Sequence, residues 1–269
     1  GKIVPNFSHG EVIDAVFRRT RVTVACMTPP KLLSAIEPVI RYQRQRFRGG
    51  DAGAPGTPRH ELGLQQKEDS LHRLVDIWAV GEASASLGFE AARVFDRLDP
   101  IEQEKDRIFK EKGISGMRAQ LKAFRRIEKD AVEYLKMPVK PEDERDAARY
   151  QELKEDNLVQ FSVLDSLANV LCPASKSWNT GYGATMMREA LSLMGGYGIT
   201  EDCPGFLAQK WMDAQLEATY EGPEAVQRRQ LSITMVNPVF LQQYRNWLSE
   251  MRLIASDWPG TGACTLATA

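Results

Sequence analysis

Prolines and glycines divide this sequence into stretches whose apolar residues recur every three or four positions, and almost nothing in it alternates with the two-residue period of a strand. That pattern restricts the chain to an all-α fold. Val12, Ile13, Val16 and Phe17, followed by the run from Val22 to Cys26, predict a first helix from Glu11 to Met27. Pro29 and Pro30 are expected to stop it, because proline has no N–H to donate and clashes with the preceding turn. A second helix is expected from Lys31 to Phe47, irregular at Pro38. The stretch from Gly49 to Pro58, GGDAGAPGTP, reads as a loop. From Leu62 to Leu98 a long helix is expected, with Leu71, Leu74, Val75, Trp78 and Ala83 on one face.

The stretch from Ile101 to Glu155 differs in character: 27 of its 55 residues are charged, 14 basic and 13 acidic, with the signs interleaved. Such a segment reads as a solvated helical hairpin. Ile114, Met117, Leu121, Phe124, Ile127 and Ala131 still repeat at helical spacing, so one of its faces must pack. Lys140-Pro141-Glu142-Asp143 suits a helix restart. Further helices are expected at Leu158–Leu171, Ala184–Met194, Gly205–Leu216 and Pro223–Met235. Asn237-Pro238 then breaks the chain before a last amphipathic stretch through Met251. The whole reads as a single domain, residues 1–269, an antiparallel helix bundle. A charged insertion is expected at residues 99–157 and a C-terminal helical extension at 237–269.

Bulk properties narrow the function. A net charge of −1 and a pI near 6.4 supply no basic footprint for nucleic acid, and no uninterrupted apolar run reaches the length of a membrane span. The first residues, GKIVPNFSHGEV, lack the layout of a signal peptide, which favours a cytoplasmic or mitochondrial-matrix setting. Cys26, Cys172, Cys203 and Cys264 form no C-x-x-C pair and are expected to be reduced thiols; His9, His60 and His72 have no ligand spacing, so no metal is expected. Both ends read as cut, and the chain is expected to be a piece of a longer protein.

The chemistry concentrates between Leu193 and Leu231. Gly195-Gly196-Tyr197-Gly198 ends a helix in a turn suited to glycine. Tyr220-Glu221-Gly222-Pro223 makes a corner between two helices, with Pro223 at the first helical position. Taken alone, a Glu at such a corner is more often a cap or a solvated acid than a catalytic base.

The ordered set Gly195-Gly196-Tyr197-Gly198, Asp213-Ala214, Tyr220-Glu221-Gly222 and Gln227-Arg228 resembles the acyl-CoA dehydrogenase family. The resemblance implies an up-down four-helix bundle of that family's C-terminal type, with the charged hairpin inserted. It also implies that the family's N-terminal helical and middle β domains lie outside this chain. Glu221 would be the base that removes the α-proton of an acyl-CoA while the β-hydride passes to FAD, a role that requires its pKa to rise towards working pH. Phe17-Arg18-Arg19-Thr20-Arg21 resembles the helix that touches the thioester, so Arg18, Thr20, Arg21, Tyr220 and Gly222 would bind substrate. Some branches place the base on that helix, where Thr20 and its neighbours offer no carboxylate. Tyr42 to Gly50, YQRQRFRGG, resembles the family's Tyr-x-x-x-Arg motif. By that register Arg46 would contact the FAD pyrophosphate, joined in holding the cofactor by Gln65, Ser192, Gly195, Gly196, Pro223 and Ala225.

Several positions depart from the family pattern. Gly49 stands where the family has Phe, Pro223 replaces a Thr, Ala225 replaces a polar flavin contact, and Ser192 stands where Gln is common. The resemblance further implies an electron-transferring flavoprotein as partner and a homodimer or homotetramer, with this piece inactive by itself. An acyl-CoA oxidase, or a family member that has become an assembly or interaction protein, is the alternative.

Overall fold

A computed structural model describes residues 9–46 and 55–268, and among these residues every regular element is helical. Gly49 and most of the loop after it lie outside the described residues. The chain divides into two compact units: residues 1–93 with 171–230, and residues 94–170 with 231–269.

The first unit is built on α1 (His9–Gln45), which runs through Pro29, Pro30 and Pro38 without a break. The expected stop at Pro29-Pro30 is therefore wrong, and the reason is visible at the carbonyls that proline strands. A proline at position i leaves the carbonyl of i−4 without its donor. The carbonyl freed by Pro29 belongs to Ala25, and Asn179 Nδ2 donates to it at 3.0 Å. The carbonyl freed by Pro38 belongs to Ser34, and Lys210 Nζ reaches it at 3.5 Å while bonding Ser34 Oγ at 2.8 Å. Asn179 Nδ2 also donates to the Ser84 carbonyl at 2.9 Å. Since a buried acceptor left unpaired costs about 1–3 kcal/mol, Asn179→Ala is expected to destabilise the protein by that amount. Urea unfolding with an unchanged m-value would check it.

After α2 (Pro58–Leu62) and a 3-10 turn at Gly63–Gln66, α3 (Glu68–Glu111) starts later than expected and continues past Pro100. Its buried stripe in the first unit is Leu74, Ile77, Gly81, Ser84, Gly88 and Ala91. Leu71, Val75 and Trp78, expected to face inward, are exposed. Small residues explain the difference. A Cβ at Gly81 would stand 2.8 Å from Leu33 Cδ2, and one at Gly88 would stand 2.9 Å from Cys26 Sγ, so α3 presents its slim face to α1.

α6 (Asn157–Leu193) joins two expected helices into one, carrying Pro173 inside it. It is the one helix among the described residues long and apolar enough to cross a bilayer, and most of that apolar window is buried within the protein. Leu32, Ala35 and Val39 of α1, Leu74 and Ile77 of α3, and Met187, Ala190 and Leu193 of α6 form the core of this unit. α7 (Leu207–Thr219) closes that core with Leu207 and Ala214, and α8 (Glu224–Thr234) follows.

The second unit holds α4 (Met117–Lys136), α5 (Ala147–Glu155), α9 (Pro238–Asp257) and α10 (Gly262–Thr268) with the remaining parts of α3, α6 and α8. Ala131, Met137, Leu153, Val159 and Val239 form a core there, and the rings of Phe109, Phe124 and Phe161 follow one another at 5.4 and 5.9 Å. The packed face expected of the charged segment exists, but Leu121 is exposed and lies off it. The expected restart at Lys140–Asp143 is a 3-10 turn over Glu142–Glu144. The helix begins instead at Ala147, where the Asp146 carboxylate accepts from the Arg149 N–H at 2.9 Å.

Candidate active site

Glu221 occupies the corner between α7 and α8 with φ +60°, one of two non-glycine residues with positive φ among the described residues. Such a conformation costs on the order of 1–3 kcal/mol and persists where neighbours over-determine it. Here they do. The Glu221 carbonyl accepts from Arg21 Nε at 3.0 Å and from Gln227 Nε2 at 3.1 Å. The next carbonyl, of Gly222, accepts from Gln227 Nε2 at 2.9 Å and from Lys176 Nζ at 3.0 Å. Gly222 itself has φ +94°, and a Cβ there would stand 2.8 Å from Gln227 Nε2. Pro223 lies just outside α8, where its carbonyl accepts the first helical N–H groups, from Val226 at 2.9 Å and Gln227 at 3.2 Å.

The backbone being held, the half-buried Glu221 carboxylate points to α1. Thr20 Oγ1 lies 2.7 Å from Glu221 Oε2 and 3.2 Å from the Val16 carbonyl, and the shorter contact takes the proton. Arg21 is buried, donates from Nη1 to Gln230 Oε1 at 2.6 Å, and stands 5.5 Å over the Phe17 ring. Tyr220 donates to Met27 Sδ at 3.5 Å; burial first, then the Glu217 and Glu221 carboxylates, push its phenol pKa up. Thr20, Arg21, Tyr220, Glu221 and Gly222 are thus brought together. Arg18 is also buried, but it sits two residues, roughly 200°, round α1 from Thr20.

Beneath this corner is a buried charged group that motif reading missed. Lys176 is 1 % exposed and donates to the carbonyls of Glu217, at 3.1 Å, and Gly222. Burial first, then the Arg21 guanidinium, lower its pKa, opposed by Glu221 and Glu217. Glu217 is itself 2 % exposed, paired with Lys31 and accepting from Thr28 Oγ1 at 3.3 Å. One signal was available in the sequence: Lys176 is the single charged residue between Asp165 and Arg188.

The residues expected to hold the cofactor separate into two groups. Arg46, Ser192 and Gly195 line one cavity of about 450 Å³ together with Tyr42, Lys67 and Arg73. Arg46 lies 5.5 Å over the Tyr42 ring, and Arg73 is held by Glu189 at 2.6 Å and by Ser192 Oγ. Gly195 has φ +63°, and a Cβ added there or at Gly196 would meet open space. Asp69 is the one acid on the lining and lies 3.8 Å from Arg73; against it stand three cations, the hydroxyls of Ser70 and Ser192 and an uncovered glycine backbone, a set that fits an anionic, phosphate-bearing group. Gln65 is buried in its 3-10 turn, outside that lining. Pro223 and Ala225 are exposed beside Glu221 and offer no side-chain donor. No group of three or more His, Cys, Asp and Glu among the described residues could hold a metal ion, and Cys26, Cys172 and Cys203 form no disulfide.

Residues 157–235 match a family model described as the acyl-CoA dehydrogenase C-terminal domain. The match contains Lys176, Glu217, Glu221, Gly222 and Gln227 and does not reach α1, where Thr20 and Arg21 lie, or Arg46 just after it. No curated protein matches the chain.

Proposed function

We propose, from the match of residues 157–235 to the acyl-CoA dehydrogenase C-terminal domain, that this chain is the part of an FAD-dependent acyl-CoA dehydrogenase that carries the catalytic base. The observation that carries the proposal is the 2.7 Å contact between Thr20 Oγ1 and the Glu221 carboxylate, at a corner whose strained backbone three buried side chains hold in place through four hydrogen bonds. A general base must be fixed within hydrogen-bond reach of the proton that it removes. Arg21, Gln227 and Lys176 fix Glu221 through backbone carbonyls, which leaves its carboxylate free to accept. Thr20 orients one carboxylate oxygen, and the other remains for the α-proton of an acyl-CoA. FAD, when bound, supplies the acceptor for the β-hydride, so that a 2-enoyl-CoA results. Arg46, Lys67 and Arg73 would hold its phosphates, with Ser192 and the Gly195-Gly196 backbone beside them.

Oligomerisation as a homodimer or homotetramer, and electron transfer to an electron-transferring flavoprotein, accompany this reading. Residues 99–157 and 237–269 would then be an insertion in, and an extension of, the family domain. The exposed, donor-free Pro223 and Ala225 favour a second reading, a member that has lost turnover and serves in assembly.

The test is spectroscopic. The natural gene product, purified and loaded with FAD, should bleach its flavin absorbance on addition of an acyl-CoA; retained flavin with no bleaching by any chain length would favour the assembly reading. Arg46→Ala should weaken FAD binding roughly 10–150-fold, the worth of one charge-assisted hydrogen bond. Recovery of flavin fluorescence on dilution measures that loss.

A further inference from the structure

We propose that a groove along α4, in the second unit, is the docking site for an acidic segment of a partner protein. α4 carries acids and bases interleaved in sequence, but the fold separates them. Glu128 accepts from Asn237 Nδ2 at 3.1 Å, and Asp130 and Glu133 pair with Arg149 at 3.0 and 3.2 Å. The acids of the helix are thereby committed. Lys122, Arg125, Arg126 and Lys129 are all exposed and have no acidic or hydrogen-bonding partner among the described residues. Other arginines of this protein, such as Arg93, Arg107 and Arg228, take a carboxylate three or four residues away on their own helix.

These four cations follow the i, i+3, i+4, i+7 spacing of a single helix stripe. They line a groove of about 670 Å³, whose apolar contribution comes from Val132 and from Pro238 at the start of α9; Glu128, already bonded to Asn237, is the one acid on the lining. Like charges at these spacings repel one another, and a bound carboxylate would relieve that repulsion. Arg125 and Arg126 present planar forks suited to carboxylates, while Val132 and Pro238 would receive an apolar side chain between the acids.

The form of the site selects among polyanions. A planar bilayer would touch only the rims of a concave groove. Nucleic acid extends its charge far beyond the Debye length of about 8–10 Å, and a chain of net charge −1 offers no matching field over that distance. A short acidic peptide needs only the local stripe.

Fluorescence anisotropy of a labelled peptide of mixed Asp, Glu and Leu tests the proposal on the intact chain. Saturable binding that weakens as salt rises is expected. The double variant Arg125→Glu/Lys129→Glu should bind at least about tenfold more weakly, with an unchanged circular dichroism spectrum. Lys110→Glu/Lys154→Glu, which reverses two exposed cations outside the groove, should stay within about twofold of wild type. The proposal is overturned if wild type shows no saturable binding, if reversal in the groove has no effect, or if phosphatidylserine vesicles or duplex DNA bind as tightly as the peptide.

Discussion

Glu221→Gln is expected to slow acyl-CoA-dependent bleaching of the bound flavin by about 10²–10⁴-fold, the usual worth of a positioned general base, while flavin content and stability stay near wild type. The separation of these effects follows from how the corner is built. The donors that hold φ +60° address the main chain: Arg21 Nε and Gln227 Nε2 bind the Glu221 carbonyl, and Lys176 Nζ binds that of Gly222. None of them is lost when the carboxylate becomes an amide. The amide oxygen can still accept from Thr20 Oγ1, so the side chain keeps its direction as well as its volume. What disappears is the capacity to take a proton. Stopped-flow absorbance at the flavin band reads the rate directly, and a variant that bleached as fast as wild type would remove Glu221 from the mechanism. Simultaneous loss of flavin would instead mean that the carboxylate serves the fold.

Much of this arrangement could be read from residue order, and the remainder has a common physical cause. Helical periodicity made the all-α class legible because spacing is a local property. The Tyr220-Glu221-Gly222 corner was legible for the same reason, since positive φ at Gly222 and a proline after it punctuate the chain locally. The continuity of α1 was not. It depends on Asn179 and Lys210 reaching carbonyls 154 and 176 residues away, and nothing near Pro29 or Pro38 announces those donors. The face of α3 was misjudged because large apolar residues were expected to be inside, whereas close approach to α1 selects Gly81, Ser84 and Gly88. The contact between Thr20 and Glu221 spans 201 residues: both residues stood out, but no spacing rule could join them. On α4 the interleaved signs suggested a solvated surface. Partners brought by α5 and the start of α9 consume only the acids, so the surface that remains is cationic.

Replacing Glu217 by Leu is expected to cost about 3–5 kcal/mol, the range for breaking a buried ion pair by removing one member. Glu217 is 2 % exposed, and Lys31 and Thr28 Oγ1 converge on its carboxylate while Lys176 lies beside it, bonded to its main-chain carbonyl. Without the carboxylate, Lys31 loses its counter-charge, and the wholly buried Lys176 loses one of the two acids that offset its burial. The deficit should depend on pH with a definite sign. Below its depressed folded pKa, Lys176 is protonated in both folded and unfolded chains, and the folded chain bears the full cost of the buried charge. Between that pKa and the ordinary lysine value of 10.5, the unfolded chain binds more protons, so stability rises with pH. Removal of Glu217 lowers the folded value further, opening the window earlier. The difference between Glu217→Leu and wild type should therefore shrink as pH is raised from neutral towards 10.5. Urea midpoints across that range measure it, and a difference that held constant or grew would locate the damage in packing rather than in the stranded ammonium. Adding Lys31→Met to Glu217→Leu should recover part of the loss, because side chains in one ion pair couple by about 0.5–3 kcal/mol in a double-mutant cycle. The same measurement links stability to the site: Lys176 also holds the Gly222 carbonyl, so a chain in which that ammonium discharges should loosen the corner that presents Glu221.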